Sequence, residues 1–168
     1  MVQDIQKLFP EIYEDLKCLA RVQRRRIYSK KNLGTKSIVH EAYLKLRKNN
    51  TEVNNKNELF YLTSVVMRNI IVDNARTWSA KKRGSFSSDI SLDQVDLISA
   101  TRSSEILALD EALTDLGKDD KRLADNVTCR FFGGLTFKET SKALDLSLAT
   151  VKRDWILARS ILVQKLAV

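Results

Sequence analysis

The residues best suited to recognise a ligand lie between positions 148 and 166, where apolar side chains recur at helical spacing. Five apolar residues are expected to form the buried stripe of this helix: Leu148, Val151, Trp155, Ala158 and Leu162. Five others face elsewhere: Ala149, Thr150, Lys152, Arg153 and Ile156. Lysine and arginine suit guanine edges and phosphates, so the first turns of this helix are equipped to lie in a DNA major groove.

A short helix and a tight turn are predicted immediately before this stretch. Thr136 and Glu139 have the spacing of a capping box, which begins a helix of about two turns that ends near Leu144. Asp145 suits the left-handed conformation of a helix stop, and Ser147 suits the N-cap of the next helix. The pattern predicts a helix-turn-helix, which fits either DNA binding or an ordinary hairpin in an all-α core.

Residues with catalytic or metal-binding chemistry are few. His40 beside Glu41 would suit acid–base catalysis, but neither a nucleophile nor a metal partner accompanies them, so a surface histidine is the simpler interpretation. Cys18 and Cys129 are isolated, and with a single histidine in the chain no metal site is expected. No GxxxxGK(S/T) motif occurs, and we expect neither a cofactor nor a small-molecule substrate.

The composition favours a helical protein with a polyanionic partner. One proline and five glycines among 168 residues favour helices nearly throughout. The formal charge of +8 favours a polyanionic partner, a trait that ribosomal, membrane-surface and DNA-binding proteins share. The polar N-terminus has no apolar run suited to a signal peptide or a membrane span, and the two cysteines suggest no disulfide framework. We therefore expect a cytoplasmic protein without membrane contact.

Charge is distributed unevenly along the chain. Residues 1–83 carry a net charge of +10, residues 84–117 carry −6, and residues 118–168 carry +4. An acidic, serine-containing segment is unsuited to phosphates, whereas the basic segments on either side suit them. The pattern predicts two DNA-facing modules joined by an acidic connector.

Three further helices are predicted in the first basic segment. One is expected to begin after Pro10, and a second follows a cap at Thr35 or Ser37. The polar residues 49–57 read as a loop, and a longer helix is expected over about 58–82. This long helix carries exposed cations and the aromatic residues Phe60, Tyr61 and Trp78, as capture of single-stranded DNA would need. At least two of the three aromatic side chains are nevertheless expected to belong to the core.

The order and spacing of three segments resemble a known family. The segments TKSIVHEAYLKL, ELFYLTSVVMRNIIVDNARTWSAKKRG and FFGGLTFKETSKALDLSLATVKRDWILAR look like bacterial sigma factors of the extracytoplasmic-function (ECF) type. The resemblance covers nearly the whole chain. It implies a non-enzymatic protein with two small helical domains: region 2 over residues 1–84, an acidic linker over 85–103 and region 4 over 104–168.

The resemblance also implies which residues meet each partner. The residues implied to bind core RNA polymerase are Val39, His40, Glu41, Tyr43 and Leu44. The residues implied to contact the −10 promoter element during strand separation are Arg68, Asn69, Asp73, Arg76, Lys81, Lys82 and Arg83. The residues implied to recognise the −35 element as duplex are Ala149, Thr150, Lys152, Arg153, Ile156 and Arg159. The loop at 49–57 resembles one that captures a flipped base, although it has few aromatic residues, and an anti-sigma factor is a further candidate partner.

The sequence departs from the family pattern at three positions. Ser141 replaces a usual alanine and Asp145 a common turn glycine, and both changes are sterically tolerable. Ile156 stands where many relatives are basic, which would remove a phosphate contact. The glycines at 133 and 134 are expected to be structural.

Two other classes of protein remain open at this stage. A stand-alone helix-turn-helix regulator would bind DNA without polymerase, normally as a dimer on a palindrome. A DNA-processing enzyme would need a nucleophile or a carboxylate set for two metal ions. The candidate carboxylates for such a set are Asp73, Asp89, Asp93 and Asp96. The last three lie in the predicted connector without a strand framework, which disfavours the enzyme.

Overall fold

The structure is a computed structural model that describes residues 3–5, 7–11, 13–14, 17, 35–49, 52–84 and 94–167. The side chains at 3–4, 35–37, 78, 81–84 and 94–102 lie outside this description, as does the first half of the predicted linker.

The described chain is mostly helical, as the sequence predicted, and one very short antiparallel strand pair places Gln3 opposite Val53 and Asp4 opposite Glu52. A π-helical turn over Thr128–Phe132 lies between the helix Lys121–Val127 and the helix Phe137–Leu144. The elements in chain order are β1 (Gln3–Asp4), α1 (Thr35–Lys48), β2 (Glu52–Val53), α2 (Lys56–Gly84), α3 (Gln94–Asp119), α4 (Lys121–Val127), α5 (Phe137–Leu144) and α6 (Leu148–Leu166).

The N-terminal helical segment begins earlier in the chain than predicted. Described residues are helical from position 5, so Pro10 lies within the helical segment and not before it. Ile5, Leu8 and Phe9 are buried at helical spacing. We attribute the early start to this burial, which outweighs the backbone hydrogen bond that a proline forfeits.

The polar stretch at 49–57 is not a simple loop. Its middle forms β2, and Val53 is fully buried. Helix α2 then begins at Lys56, because the Asn55 side chain accepts a hydrogen bond from the Glu58 backbone N–H at 3.0 Å. The Glu58 carboxylate in turn accepts one from the backbone N–H of Asn54 at 2.7 Å. Pairing with β1, which lies far away in sequence, explains why composition alone missed the strand.

Two hydrophobic cores lie along the long helix α2. The first contains apolar residues of the N-terminal segment, α1, β2 and the first half of α2, among them Phe9, Ile38, Leu59 and Met67. The second contains Ile71, Val72 and Ala75 of α2 together with residues of α3, α4, the π-helical turn and α6. Helix α2 therefore contributes to both cores and packs against both halves of the chain.

Helix α3 occupies part of the predicted linker. It begins at Gln94, whereas the linker was predicted to extend to residue 103. Ser103 and Ile106 are already buried. The helix packs against α2, and this burial is a long-range contact that the acidic composition of the segment did not reveal.

Candidate nucleic-acid interface

The helix-turn-helix has the caps that the sequence predicted. The Thr136 hydroxyl accepts from the Glu139 N–H at 3.1 Å, and the Glu139 carboxylate accepts from the Thr136 N–H at 2.6 Å. Asp145 adopts the left-handed conformation with φ 52° and ψ 49°, and Ser147 caps α6 by accepting from the Thr150 N–H at 3.1 Å. The local hydrogen bonds therefore fix the angle at which α6 leaves the turn.

The predicted reading residues of α6 share one exposed face. Thr150 is half-buried, and its hydroxyl lies 2.8 Å from that of Ser147. The remaining five are exposed, with Ile156 at 70% of its maximal exposure: Ala149, Lys152, Arg153, Ile156 and Arg159. Their spacing of three and four residues places them along one side of the helix. The structure thus brings together this predicted set.

The buried stripe of α6 differs from the prediction at two positions. Val151, Ala158 and Leu162 are buried as expected, and Trp155 is half-buried. Leu148 is 41% exposed, and the buried position on the first turns belongs instead to Asp154 at 2% exposure. Asp154 lies at helical spacing from Val151 and Ala158. A carboxylate at a stripe position was the signal for a buried ion pair that the sequence analysis missed.

Two polar side chains of α4 hold α6 in place. Arg122 Nε lies 2.7 Å from Asp154 Oδ2, and Arg122 Nη2 donates to Asp154 Oδ1 at 3.2 Å. The buried Asn126 amide donates to the carbonyl of Val151 at 3.0 Å. A buried carboxylate requires such a partner, so the pair fixes the position of α6 relative to α4.

Aromatic stacking and two glycines shape the entry into α5. The Arg130 guanidinium lies 3.9 Å from the ring centre of Phe137 and 5.1 Å from that of Trp155. Gly134 has φ 67°, and any Cβ added at Gly133 would overlap the Ser64 hydroxyl of α2. The prediction that these glycines are structural is confirmed.

The predicted −10 residues of α2 are in different environments. Asn69, Asp73 and Arg76 are exposed, and Arg76 Nη1 donates to Asp73 Oδ1 at 3.4 Å. Arg68, expected on the surface, is 18% exposed, and its Nε donates to Asp110 Oδ1 of α3 at 2.7 Å. Helix α2 extends to Gly84, but the side chains of the predicted residues Lys81, Lys82 and Arg83 lie outside the described part of the structure.

A polar group of α2 and α4 lies beside Arg68. The Tyr61 hydroxyl donates to Asp125 Oδ1 at 3.0 Å. Burial, reinforced by the neighbouring Asp125 charge, raises the pKa of Tyr61 well above its usual range. Burial also raises the pKa of the Asp125 carboxyl, against the opposing effects of Tyr61, Lys121 and Arg68. The pKa of Cys129 is raised to about 12 by burial, so this thiol stays protonated. Phe60 is partly buried against the first core, whereas Tyr61 is partly buried beside Asp125 and belongs to neither core, and the side chain of Trp78 lies outside the described part of the structure.

The predicted polymerase-binding residues of α1 divide between surface and core. His40 and Leu44 are exposed, and Glu41 and Tyr43 are half-buried. Glu41 lies 3.6 Å from the Lys45 ammonium, and Tyr43 packs on Phe9 with 4.3 Å between ring centres. Val39 is 2% exposed and packs in the first core, because α1 needs an apolar face there. In this structure Val39 supports the surface and does not form it.

Other kinds of site find no support among the described residues. In the part of the chain that the structure describes, no three His, Cys, Asp or Glu side chains gather where a metal ion could bind. Within that same part, no helix combines the length and apolar character needed to cross a membrane.

The fold and the site define an all-α protein with a C-terminal helix-turn-helix, whose second helix, α6, has an exposed basic face. The ECF sigma factor family model matches residues 3–168, so the chain belongs to that family. Proteins of this family are regulators that bind core RNA polymerase and direct transcription initiation at promoters. The comparisons found no matching curated protein and no matching solved structure.

Proposed function

We propose that this chain reads the −35 promoter element as duplex through α6 and the −10 element through α2 during strand separation. We also propose that α1 docks on core RNA polymerase. The observation that carries the proposal is the exposed basic face of α6, held by a fully capped helix-turn-helix in a chain of the ECF sigma factor family.

The face of α6 is suited to duplex recognition. Lys152 and Arg153 lie in its second turn and are exposed, so they can reach base edges or phosphates of a major groove. Arg159 extends the cationic line by two turns. Ile156 lies between them and offers an apolar contact, such as one with a thymine methyl group.

The exposed part of α2 is suited to the −10 element. Asn69 can hydrogen-bond to a base edge, and Arg76 can contact the backbone of an opened strand. Since the sequence has no nucleotide-hydrolysis motif, strand separation would be driven by binding energy alone. The contacts that hold unpaired bases would therefore decide the stability of the open complex.

The exposed part of α1 is suited to a protein partner. Leu44 offers an exposed apolar side chain beside the polar His40 and Glu41, a combination typical of transient protein interfaces. An anti-sigma factor would be a competing partner for the surfaces that the polymerase uses. A stand-alone regulator would have no such requirement for polymerase.

The decisive test is assembly with core polymerase followed by transcription. The purified chain should co-elute with core polymerase in size-exclusion chromatography and yield run-off transcripts from a genomic fragment library. On a promoter found in this way, Asn69→Ala and Arg76→Ala should reduce permanganate reactivity of the −10 region. Lys118→Ala on α3, which removes the same charge as Arg76→Ala, should leave it unchanged. A protein that elutes as a dimer and ignores polymerase would instead be a stand-alone regulator.

A further inference from the structure

The exposed face of α6 carries a row of apolar side chains among its cations. Ala149, Ile156 and Val163 follow one another at intervals of seven residues, so they lie almost directly in line along the helix. Ile156 is 70% exposed and Val163 is 58% exposed. Neither side chain belongs to a hydrophobic core of the described structure. Removing such side chains from water is favourable, so the row is suited to a partner that has apolar groups of its own.

Three cations border the middle of this apolar row. Lys152 and Arg159 lie on one side of Ile156 and Arg153 lies on the other, each within about 60° of it around the helix axis. All three are exposed, and among the described residues none of them forms an ion pair. An apolar centre with cations on both sides matches the major groove of DNA. The floor of that groove carries the methyl groups of thymine, and phosphates line its two edges.

Other apolar partners fit this face less well. The centre of a protein–protein interface is depleted of charged residues, whereas cations adjoin Ile156 on both sides. A helix that lies in a membrane surface presents a broad apolar face, but this row is one residue wide and has Ser160 and Gln164 beside Val163. Duplex DNA is therefore the partner that the observations favour.

We propose that Ala149 and Ile156 recognise the C5-methyl groups of pyrimidines in the −35 element, so that thymine or 5-methylcytosine is selected over an unmethylated pyrimidine. This inference rests on the proposed function of α6. The two side chains are about 10 Å apart along the helix, which corresponds to about two or three base pairs. The first turns of a recognition helix contact the bases, so Val163, two turns beyond Ile156, lies outside the groove. Cytosine methylation in a promoter then changes its recognition by this protein.

Deoxyuridine tests the proposal, because it pairs as thymine does and lacks only the C5-methyl group. On a promoter identified by run-off transcription, each thymine of either strand of the −35 element is replaced in turn, and the affinity of the holoenzyme is measured by competition mobility shift. We expect at least one position where deoxyuridine weakens binding about fourfold, the effect of one lost methyl contact. Ile156→Ala should bind the thymine promoter about fourfold more weakly and should not distinguish thymine from deoxyuridine at that position.

A cytosine at the sensitive position separates the two sources of the methyl group. Replacing the T·A pair there by C·G should weaken binding, and methylating that cytosine at C5 should recover about fourfold in wild type. The same methylation should recover nothing in Ile156→Ala. If wild type showed no recovery while deoxyuridine still weakened binding, the part of the proposal that concerns 5-methylcytosine would be overturned.

Val163→Ala is the matched control, because it shortens another exposed apolar side chain of the same row at a position outside the groove. It should bind within about twofold of wild type and still distinguish thymine from deoxyuridine. If Val163→Ala lost this discrimination as Ile156→Ala does, the assignment of the contact to the first turns of α6 would be wrong. Circular dichroism should show that both variants are folded, since both side chains are exposed.

The outcomes separate this inference from the proposed function. Equal affinities of wild type for the thymine and deoxyuridine promoters at every position would refute methyl recognition. The proposed function of α6 would survive that result if Arg153→Ala still lowered transcription from the same promoter, and it would fail if Arg153→Ala had no effect. Sedimentation with vesicles of equal parts phosphatidylcholine and phosphatidylglycerol should show no binding that depends on Ile156. Binding by wild type that Ile156→Ala lost would assign the row to a membrane surface and overturn the proposal.

Discussion

At the scale of single residues, Arg153 carries the clearest expectation for DNA recognition. Its side chain is exposed on the second turn of α6, with Lys152 beside it and Ser147 capping the helix below. Arg153→Ala should lower initiation from a −35-dependent promoter, because the loss of one bidentate base contact costs about 1–3 kcal/mol of binding free energy. Run-off transcription and a DNA mobility shift on the same promoter would measure the effect.

The control for Arg153→Ala is Lys165→Ala, which removes the same charge from an exposed position at the far end of the same helix. It should weaken DNA binding only slightly, and equally for all sequences. Unchanged transcription in Arg153→Ala would mean that the reading face of α6 has been assigned wrongly.

Asp125 gives a residue-scale expectation for stability against pH. Its pKa is raised by burial, so the folded protein binds this proton more tightly than the unfolded chain does. This carboxyl therefore reduces stability progressively as the pH rises from the unfolded pKa of about 3.9 through its raised folded value. Asp125→Asn keeps an acceptor for the Tyr61 hydroxyl and removes the charge, so its stability relative to wild type should improve between pH 4 and pH 7.

Urea denaturation at several pH values would measure this difference, with Asp115→Asn as a control of opposite sign. The hydrogen bond from Lys118 lowers the pKa of Asp115, so that carboxylate contributes stability that is lost as the pH falls. The free energy of unfolding of Asp115→Asn, relative to that of wild type, should be lower at pH 7 than at low pH. A pH-independent effect of Asp125→Asn would contradict the assigned cause.

Residue environments were predictable from the sequence only where spacing along one helix determines them. The exposed set around Arg153 follows from the period of α6, and the structure agrees. The burial of Arg68 and Asp154 depends on partners 42 and 32 residues away along the chain, Asp110 and Arg122. No local pattern contains such a contact.

At the scale of elements, the ion pair of Arg122 with Asp154 sets how α6 sits on α4. Arg122→Ala would leave a buried carboxylate without its cation, and the penalty for such a group is several kcal/mol when it is fully enclosed. Because Arg122 itself is half-exposed, water can partly replace it, and we expect a loss of about 2 kcal/mol in the free energy of unfolding. Urea denaturation would measure this loss.

Two further variants make the Arg122→Ala experiment specific. Asp154→Asn added to Arg122→Ala should restore part of the lost stability, since it removes the unpaired charge. Lys118→Ala breaks an exposed pair with Asp115 and should have an effect close to zero. If Arg122→Ala were as mild as Lys118→Ala, the ion pair would not hold α6 in place.

Element boundaries were predictable where caps determine them. Thr136, Glu139, Asp145 and Ser147 are close in sequence to the groups they satisfy, so the ends of α5 and the start of α6 could be predicted. The strand at Glu52–Val53 depends on pairing with Gln3–Asp4, and the burial of Ser103 in the predicted linker occurs in a helix that packs against α2. These features depend on contacts between residues far apart along the chain, and a local sequence pattern does not reveal such contacts.

At the scale of the whole molecule, the charge pattern along the chain does not show how the charged segments contact one another. Two basic segments and an acidic middle predicted two DNA-facing modules joined by an acidic connector. In the structure an acidic residue of that middle segment, Asp110, pairs with Arg68 and Arg76 of the first basic segment. Segments of opposite charge can attract one another as readily as they can lie apart. The apolar core that α2 shares with α3 holds the two segments together.

We expect the free protein to unfold as a single cooperative unit, because α2 shares its second core with the C-terminal half of the chain. Ile71 of α2 is fully buried in the second core, where Leu113 of α3 and Phe132 are also fully buried. Because α2 belongs to the first core as well, loss of either core should expose the other. We therefore expect one calorimetric transition with a van't Hoff enthalpy equal to the calorimetric enthalpy, where independent domains would give two.

Leu113→Ala tests this coupling at a distance. Removing a fully buried leucine should cost about 2–5 kcal/mol and lower the midpoint of the single transition. Hydrogen exchange should then accelerate in α1 as well as in α3, although none of the described side chains of α1 belongs to the second core. The exposed Leu157→Ala on α6 controls for loss of an apolar side chain and should leave α1 protected. Faster exchange confined to α3–α6 would show instead that the two predicted domains unfold independently.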